Sequence, residues 1–295
     1  MRSIAKIGFA GLGAMGAGIA GRLLAAGHDV VGWNRTPGKA DDLVTAGMGW
    51  AATPRELAAS VDVLFTMMTN SAAVQATADG DDGVLAGLRP GTVWADISTI
   101  APDVSVAVAE RVAATGSFFL DCPVSGSPAT LAAGQMSVMA GGDRAAFDHV
   151  AGVLHAIGPK VTYIGPNGQA ILTKVAINLA LVSAVTAFAE GVALVEKAGV
   201  DRAAVVDAVL KSVIASPVIG YRAPLLVEDT DVFADVELQQ KDLVLAQDLA
   251  RRLGMAVPLT SATSEMLSAA RSSTRSDRDF VVSVHEAYRR LGGLW

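Results

Sequence analysis

The chain has 295 residues, of which 52% are hydrophobic, 18% charged and only 5% aromatic, and its formal net charge is −6. That length suffices for two domains with large cores, and an acidic chain without a basic run offers no electrostatic footprint for nucleic acid. The single cysteine, Cys122, excludes an internal disulfide and a cysteine-built zinc cluster, and the four histidines lack the spacing of a metal-binding pair, so no metal is expected.

In chain order, the first expected strand is the apolar run 4–10. Met1-Arg2-Ser3 leaves no room for a signal peptide ahead of it, and a soluble, cytoplasmic protein is the expectation. The run leads into Gly11-Leu12-Gly13-Ala14-Met15-Gly16 and then a helical pattern over 14–26 that stops at Gly27. A second strand over 29–33 ends in Trp33-Asn34-Arg35-Thr36. Strand, glycine turn, helix, strand is the arrangement that binds a dinucleotide pyrophosphate. Gly11 permits the tight turn, Gly13 lets the backbone approach the phosphates, and Gly16 lets helix and strand pack closely. The helix N-terminus supplies free N–H groups and a partial positive charge.

The tip of the second strand indicates which dinucleotide. An NAD site places Asp or Glu there to accept from the ribose hydroxyls. Here the positions hold Asn34, Arg35 and Thr36. Arg35 can pair with a 2′-phosphate and stack on adenine, while Asn34 and Thr36 offer neutral hydrogen bonds. NADP is therefore expected over NAD.

Further strands are expected over 63–67, 92–96, 118–122, 136–140 and 161–163. Helices fit between them at 37–46, 54–59, 71–78, 102–115 and 143–156. Alternating β and α predicts a doubly wound, mostly parallel sheet, an α/β Rossmann-type domain. Met67 and Met68, at the end of the run 63–67, join the cofactor-binding candidates. After Gly165-Pro166-Asn167-Gly168 the pattern becomes helix after helix. A boundary is placed there: an NADP-binding domain over 1–164 and an all-helical substrate and dimerisation domain over 165–295. The uncharged stretch 175–189 falls short of the roughly 20 apolar residues of a membrane span. It reads as a helix buried within protein, and no membrane partner is expected. The polar segment 271–279 is expected as a surface loop before a last helix.

Three clusters carry candidate chemistry. Asp121-Cys122-Pro123-Val124-Ser125-Gly126-Ser127 closes a strand, where open α/β sheets bind ligands. Its hydroxyls and exposed N–H groups suit a carboxylate, and an ordinary glycine-serine turn is the competing reading. Lys174 and Asn178 lie four apart on one face of an otherwise apolar helix. Burial lowers a lysine pKa towards neutrality, where it can pass a proton; snorkelling to solvent is the competing fate. Gln240-Lys241-Asp242-Leu243 says little by itself and fits a solvated helix face.

As a set these residues resemble the β-hydroxyacid dehydrogenase family, which includes 3-hydroxyisobutyrate dehydrogenases and glyoxylate/succinic semialdehyde reductases. The resemblance runs nearly end to end. It rests on 8–16, on Asp96-Ile97-Ser98-Thr99, on 121–127 with Gly134 beyond, on Gly168, Lys174 and Asn178, and on Lys241-Asp242-Leu243. It implies a Rossmann-type domain, an all-helical domain, and a homodimer or homotetramer acting on a small carboxylate. It further implies Lys174 as proton carrier, Ser125 and Gly126 as carboxylate cradle with Ser127 beside them, Asn178 as the active-site asparagine, Thr99 near the nicotinamide ribose, and Lys241 reaching the cofactor. Ser127 and Ile177 depart from the commonest family pattern and bear on substrate identity. Imine reductases share the glycine opening and Asn34-Arg35-Thr36-Pro37 but usually lack the lysine. A catalytically silent NADP-binding relative is a further alternative.

Overall fold

A computed structural model describes residues 4–228, 234–273 and 278–294. The chain divides into two compact units, Met1–Lys174 and Val175–Trp295.

The first unit is built on nine strands: β1 (Ile7–Ala10), β2 (Val30–Trp33), β3 (Gly49–Trp50), β4 (Val63–Thr66), β5 (Val93–Asp96), β6 (Phe118–Asp121), β7 (Val124–Ser125), β8 (Ser137–Gly142) and β9 (Lys160–Gly165). They form one sheet in the order β3-β2-β1-β4-β5-β6-β8-β7, with β9 beside β8. Strands β3 to β6 of that order run parallel, β8 is antiparallel to β6 and β7, and β9 is parallel to β8. The order reverses between β1 and β4, the crevice where doubly wound sheets take their ligands. Both strands are wholly buried, as the apolar run 7–10 requires of a strand covered on two faces. The core includes Ile7, Phe9, Leu23, Phe65 and Leu120, and the Phe9 and Phe65 rings stack with centroids 6.1 Å apart.

Local chemistry sets the element ends. Thr53 caps the helix Pro54–Ser60 by accepting from Glu56 N–H at 3.1 Å, and Asp143 caps Arg144–Ile157 by accepting from Ala146 N–H at 2.8 Å. The expected helix over 37–46 is instead a 3-10 turn, Pro37–Ala40, followed by a short α-helix, Asp41–Thr45. The first strand starts at Ile7 rather than residue 4, because the N–H groups of Ala5 and Lys6 turn to the Asp62 carboxylate. The two-residue strands β3 and β7 and the short helices Val84–Gly87 and Pro128–Ala132 were not expected.

The second unit is helical: Arg202–Leu210, Pro217–Arg222, Val236–Leu253, Pro258–Ser273 and Phe280–Leu291, with no strand among its described residues. The expected loop over 271–279 begins inside a helix, and its residues 274–277 lie outside the described ones. The 29-residue helix Gln169–Lys197 contains the boundary between the units. By length and composition it is apolar enough to cross a membrane, and half of its most apolar window is buried within the protein. Val182, Val185, Phe188 and Val192 on it form a core with Leu243, Leu267 and Phe280.

Candidate active site

The glycine turn after β1 is held by its neighbours. Gly11 has φ +93°, and an added Cβ would stand 2.2 Å from the Met67 carbonyl oxygen. A Cβ on Gly16 would stand 2.0 Å from the Gly11 carbonyl oxygen. Gly13 differs: nothing lies within 4 Å of its Cβ position. It precedes the helix Ala14–Ala25, which has no side-chain cap and no acidic residue in its first turn. A helix start with open space and unclaimed N–H groups fits a pyrophosphate.

The tip of β2 reaches this turn. Asn34 Oδ1 accepts from Leu12 N–H at 3.1 Å, and Asn34 Nδ2 donates to the Thr36 carbonyl at 2.9 Å. The carboxamide expected to offer neutral hydrogen bonds at the cofactor thus braces the glycine turn. Arg35 and Thr36 are exposed. Lys39, in the last turn of the 3-10 helix, is a second exposed cation that sequence reasoning passed over. Its signal was present: a lysine four residues after Arg35 in the same loop.

At the tips of β4 and β5, one carboxylate gathers four groups. Asp96 Oδ1 accepts from Thr66 Oγ1 and Ser98 Oγ, both at 2.6 Å. Thr66 Oγ1 accepts from Trp94 Nε1 at 2.9 Å, and Ser98 Oγ accepts from Met68 N–H at 2.8 Å. The loop carrying Met67 and Met68 is thereby tied to Asp96, and half-buried Thr99 follows. Burial raises the Asp96 pKa from 3.8 to about 6 against these hydrogen bonds, and Asp121 adds to the rise.

Asp121 pairs in register with Asp96 on the adjacent strand. Cys122 follows, fully buried; burial first and the two carboxylates second raise its thiol pKa well above the ordinary value. Then β7 presents Ser125, half-buried, and Gly126 at φ +151°, where a Cβ would stand 2.3 Å from Met136 Sδ and Thr130 Oγ1. Ser127 is engaged in a capping box with Thr130: its N–H donates to Thr130 Oγ1 at 2.6 Å and its Oγ accepts from Thr130 N–H at 3.3 Å. Of the serine-glycine-serine cluster, Ser125 and Gly126 keep groups for a ligand, while Ser127 holds the helix Pro128–Ala132.

The helix Gln169–Lys197 carries Lys174, buried at 8% exposure, and Asn178, buried at 5%, one turn apart. In the second unit Asn178 Nδ2 donates to Asp242 Oδ2 at 2.6 Å, and Lys241 Nζ stands 3.1 Å from Asp242 Oδ1. Asp242 is buried and Lys241 half-buried, so within a segment that also fits a solvated helix face Asp242 is an internal polar group. Among the described residues no group of three or more His, Cys, Asp or Glu side chains is placed to hold a metal ion.

Two family models cover the chain. That for the NAD-binding domain of 6-phosphogluconate dehydrogenase matches residues 6–165. That for the NAD-binding region of NADP-dependent 3-hydroxyisobutyrate dehydrogenase matches residues 168–286. The chain is 33% identical over 276 residues to glyoxylate/succinic semialdehyde reductase 2, chloroplastic, of Arabidopsis thaliana, covering 93% of this chain and 77% of that protein. Among solved structures, 3-hydroxyisobutyrate dehydrogenase from Salmonella typhimurium is 31% identical with a TM-score of 0.87, covering 95% of this chain and 99% of the other. Psf3 in complex with NADP+ and 2-OPP is 28% identical with a TM-score of 0.87, again covering 95% and 99%. The chain also spans about half the length, 51%, of the human nuclear factor N-PAC, with 31% identity. These matches agree with the glycine turn, the strand order and the helical second unit, and the chain belongs to the 3-hydroxyisobutyrate dehydrogenase family of NAD(P)-binding oxidoreductases acting on CH–OH groups.

Proposed function

We propose that the protein is an NADP-dependent oxidoreductase that interconverts a small β- or γ-hydroxy carboxylate with its aldehyde or ketone. The observation that carries the reading is Lys174, an ammonium buried on an apolar helix and within six residues of that helix's start. Lysine is rarely buried to this extent, and a lysine in such surroundings is suited to proton transfer. The nicotinamide dinucleotide supplies or accepts the hydride when bound. In the reducing direction Lys174 Nζ gives its proton to the carbonyl oxygen as the carbon gains hydride, and in the oxidising direction it takes the hydroxyl proton back. Ser125 and the Gly126 backbone are assigned to the substrate carboxylate and Asn178 to the side of Lys174. The turn 11–16, with Asn34, Arg35, Thr36, Met67, Met68, Thr99 and Lys241, is assigned to the cofactor.

NADP over NAD is supported by the exposed Arg35 and Lys39 and by the lack of an acidic residue at 33–37. The relative solved with NADP+ supports it too. A homodimer or homotetramer is supported by the exposed small residues Ala180, Ala184, Ala187 and Gly191 beside exposed Leu194 on the long helix. Light scattering of the purified protein tests that assembly.

The reading is tested by a panel of small hydroxy acids and semialdehydes assayed with NADP and NAD, alongside Lys174→Ala. Loss of a general acid costs about 10²–10⁴-fold in rate. Wild-type turnover by Lys174→Ala on the best substrate would overturn the assignment.

A further inference from the structure

The helix that carries Lys174 begins without a cap of its own. Its first intrahelical bond runs from Leu172 N–H to the Gly168 carbonyl at 2.9 Å, which makes Gly168 the capping position. Glycine is required there: φ is +89°, and an added Cβ would stand 3.0 Å from Val106 Cγ2. Glycine has no side chain, so the orphan N–H groups of the first turn must find an acceptor elsewhere.

Asp121 at the end of β6 is that acceptor. Its Oδ1 accepts from Gly168 N–H at 2.9 Å and its Oδ2 from Ile171 N–H at 3.1 Å. These are the two N–H groups that a local capping box satisfies, one at the capping residue and one three residues on. Here a single carboxylate, 47 and 50 residues earlier in the chain, satisfies both. Asn167 Nδ2 adds a longer contact to Oδ1 at 3.4 Å. Across the sheet Gly141 makes room: a Cβ there would stand 2.9 Å from each carboxylate oxygen. The grip is bidentate, charge-assisted and buried, so it fixes both the height and the rotation of the first turn. Ile171 and Lys174 are three apart and share a face. The charged group facing Asp121 from the neighbouring strand is Asp96.

We propose that Asp121 is a positioning residue for catalysis: by gripping the first turn of the helix from the end of β6, it sets where Lys174 Nζ stands relative to the substrate cradle that follows on the same strand connection. The inference rests on the reading of Lys174 as proton carrier. A carboxylate retained only for folding would leave turnover intact once the protein is folded. A positioning carboxylate would not, because displacement of a reacting group by about 1 Å costs about 10²-fold.

The test is Asp121→Asn, which keeps the shape but meets one of the two N–H groups with an NH₂ instead of an acceptor. Lys174→Ala is run beside it. We expect kcat of Asp121→Asn to fall about 10–100-fold with substrate KM changed less than about threefold and NADPH dissociation constant within about twofold. The rate at which Lys174 is acylated by a lysine-directed reagent, followed by peptide mass spectrometry, is expected to rise at least about threefold as the turn loosens. Wild-type kcat in Asp121→Asn, or an unchanged acylation rate, overturns the inference while Lys174→Ala stays inactive. Wild-type kcat in Lys174→Ala overturns the underlying reading instead. Should Asp121→Asn not fold, Gly141→Ala displaces the carboxylate without removing it, and an unchanged kcat there overturns the inference equally.

Discussion

Asn178 donates to Asp242 at 2.6 Å, joining the long helix to the helix Val236–Leu253 inside the second unit. The same carboxylate stands 3.1 Å from Lys241 Nζ. A hydrogen bond to a buried charged group contributes about 1.5–3 kcal/mol, and removing its donor leaves the charge under-solvated. Asn178→Ala is expected to lower unfolding free energy by about that amount in urea denaturation. Asn178→Asp, which sets two carboxylates against each other, is expected to cost more.

The glycine turn separates folding from binding. Gly11→Ala forces a Cβ to within 2.2 Å of the Met67 carbonyl oxygen at φ +93°. Backbone meets backbone there, so a loss of about 1–3 kcal/mol is expected, read as a lowered Tm. Gly13→Ala adds a methyl to open space. It is expected to keep the wild-type Tm while weakening NADPH binding at least about tenfold, a methyl standing where the phosphates approach.

Asn34 makes the bond that couples the turn to the tip of β2. Asn34→Asp retains the acceptor for Leu12 N–H but loses the donor to the Thr36 carbonyl and adds a negative charge. A shift of kcat/KM from NADP towards NAD is expected, with Arg35→Asp shifting it further. Asn34→Ala releases the turn and is expected to raise KM for both cofactors. Cofactor titrations by fluorescence separate the two effects.

Ser125 and Ser127 are two residues apart and differently engaged. Ser127→Ala removes one half of a capping box and is expected to cost about 0.5–2 kcal/mol in stability with little change in substrate KM. Ser125→Ala is expected to leave stability unchanged and raise KM for the carboxylate at least about tenfold. Parallel melts and Michaelis curves check both.

Asp96 predicts a pH dependence. Its native pKa of about 6 lies above the ordinary 3.8, so between those two values the native state holds a proton that the unfolded chain has released. The stabilisation is fully present below the unfolded value and is lost as pH rises through the native one. Two units correspond to about 3 kcal/mol. Relative to wild type, Asp96→Asn is therefore expected to gain stability by up to about that amount between about pH 4 and pH 7, in urea melts of both proteins.

Much of the fold was readable because short periods mark it. The glycine spacing, the apolar runs and the helix stop at Gly27, which has positive φ, are local signals. The helix over 37–46 misled because Pro37 and Gly38 make a 3-10 turn while Asp41 and Asp42 start a new helix. Strands of two residues, such as β3 and β7, are too short to show alternation. The polar contacts around the site were hidden for another reason. Asp121 to Ile171 spans 50 residues and Asn178 to Asp242 spans 64, so no window of sequence holds both partners.

Cys122 is the chain's one cysteine. It lies fully buried, and burial first, then the neighbouring carboxylates Asp121 and Asp96, raise its thiol pKa well above the ordinary value. Alkylation and oxidation need an exposed thiolate, so this sulfur is silent towards both. The protein is in effect free of reactive thiols as it stands. A cysteine introduced at an exposed position such as Val213 would be the single attachment point for a spectroscopic label, with no background substitution needed first.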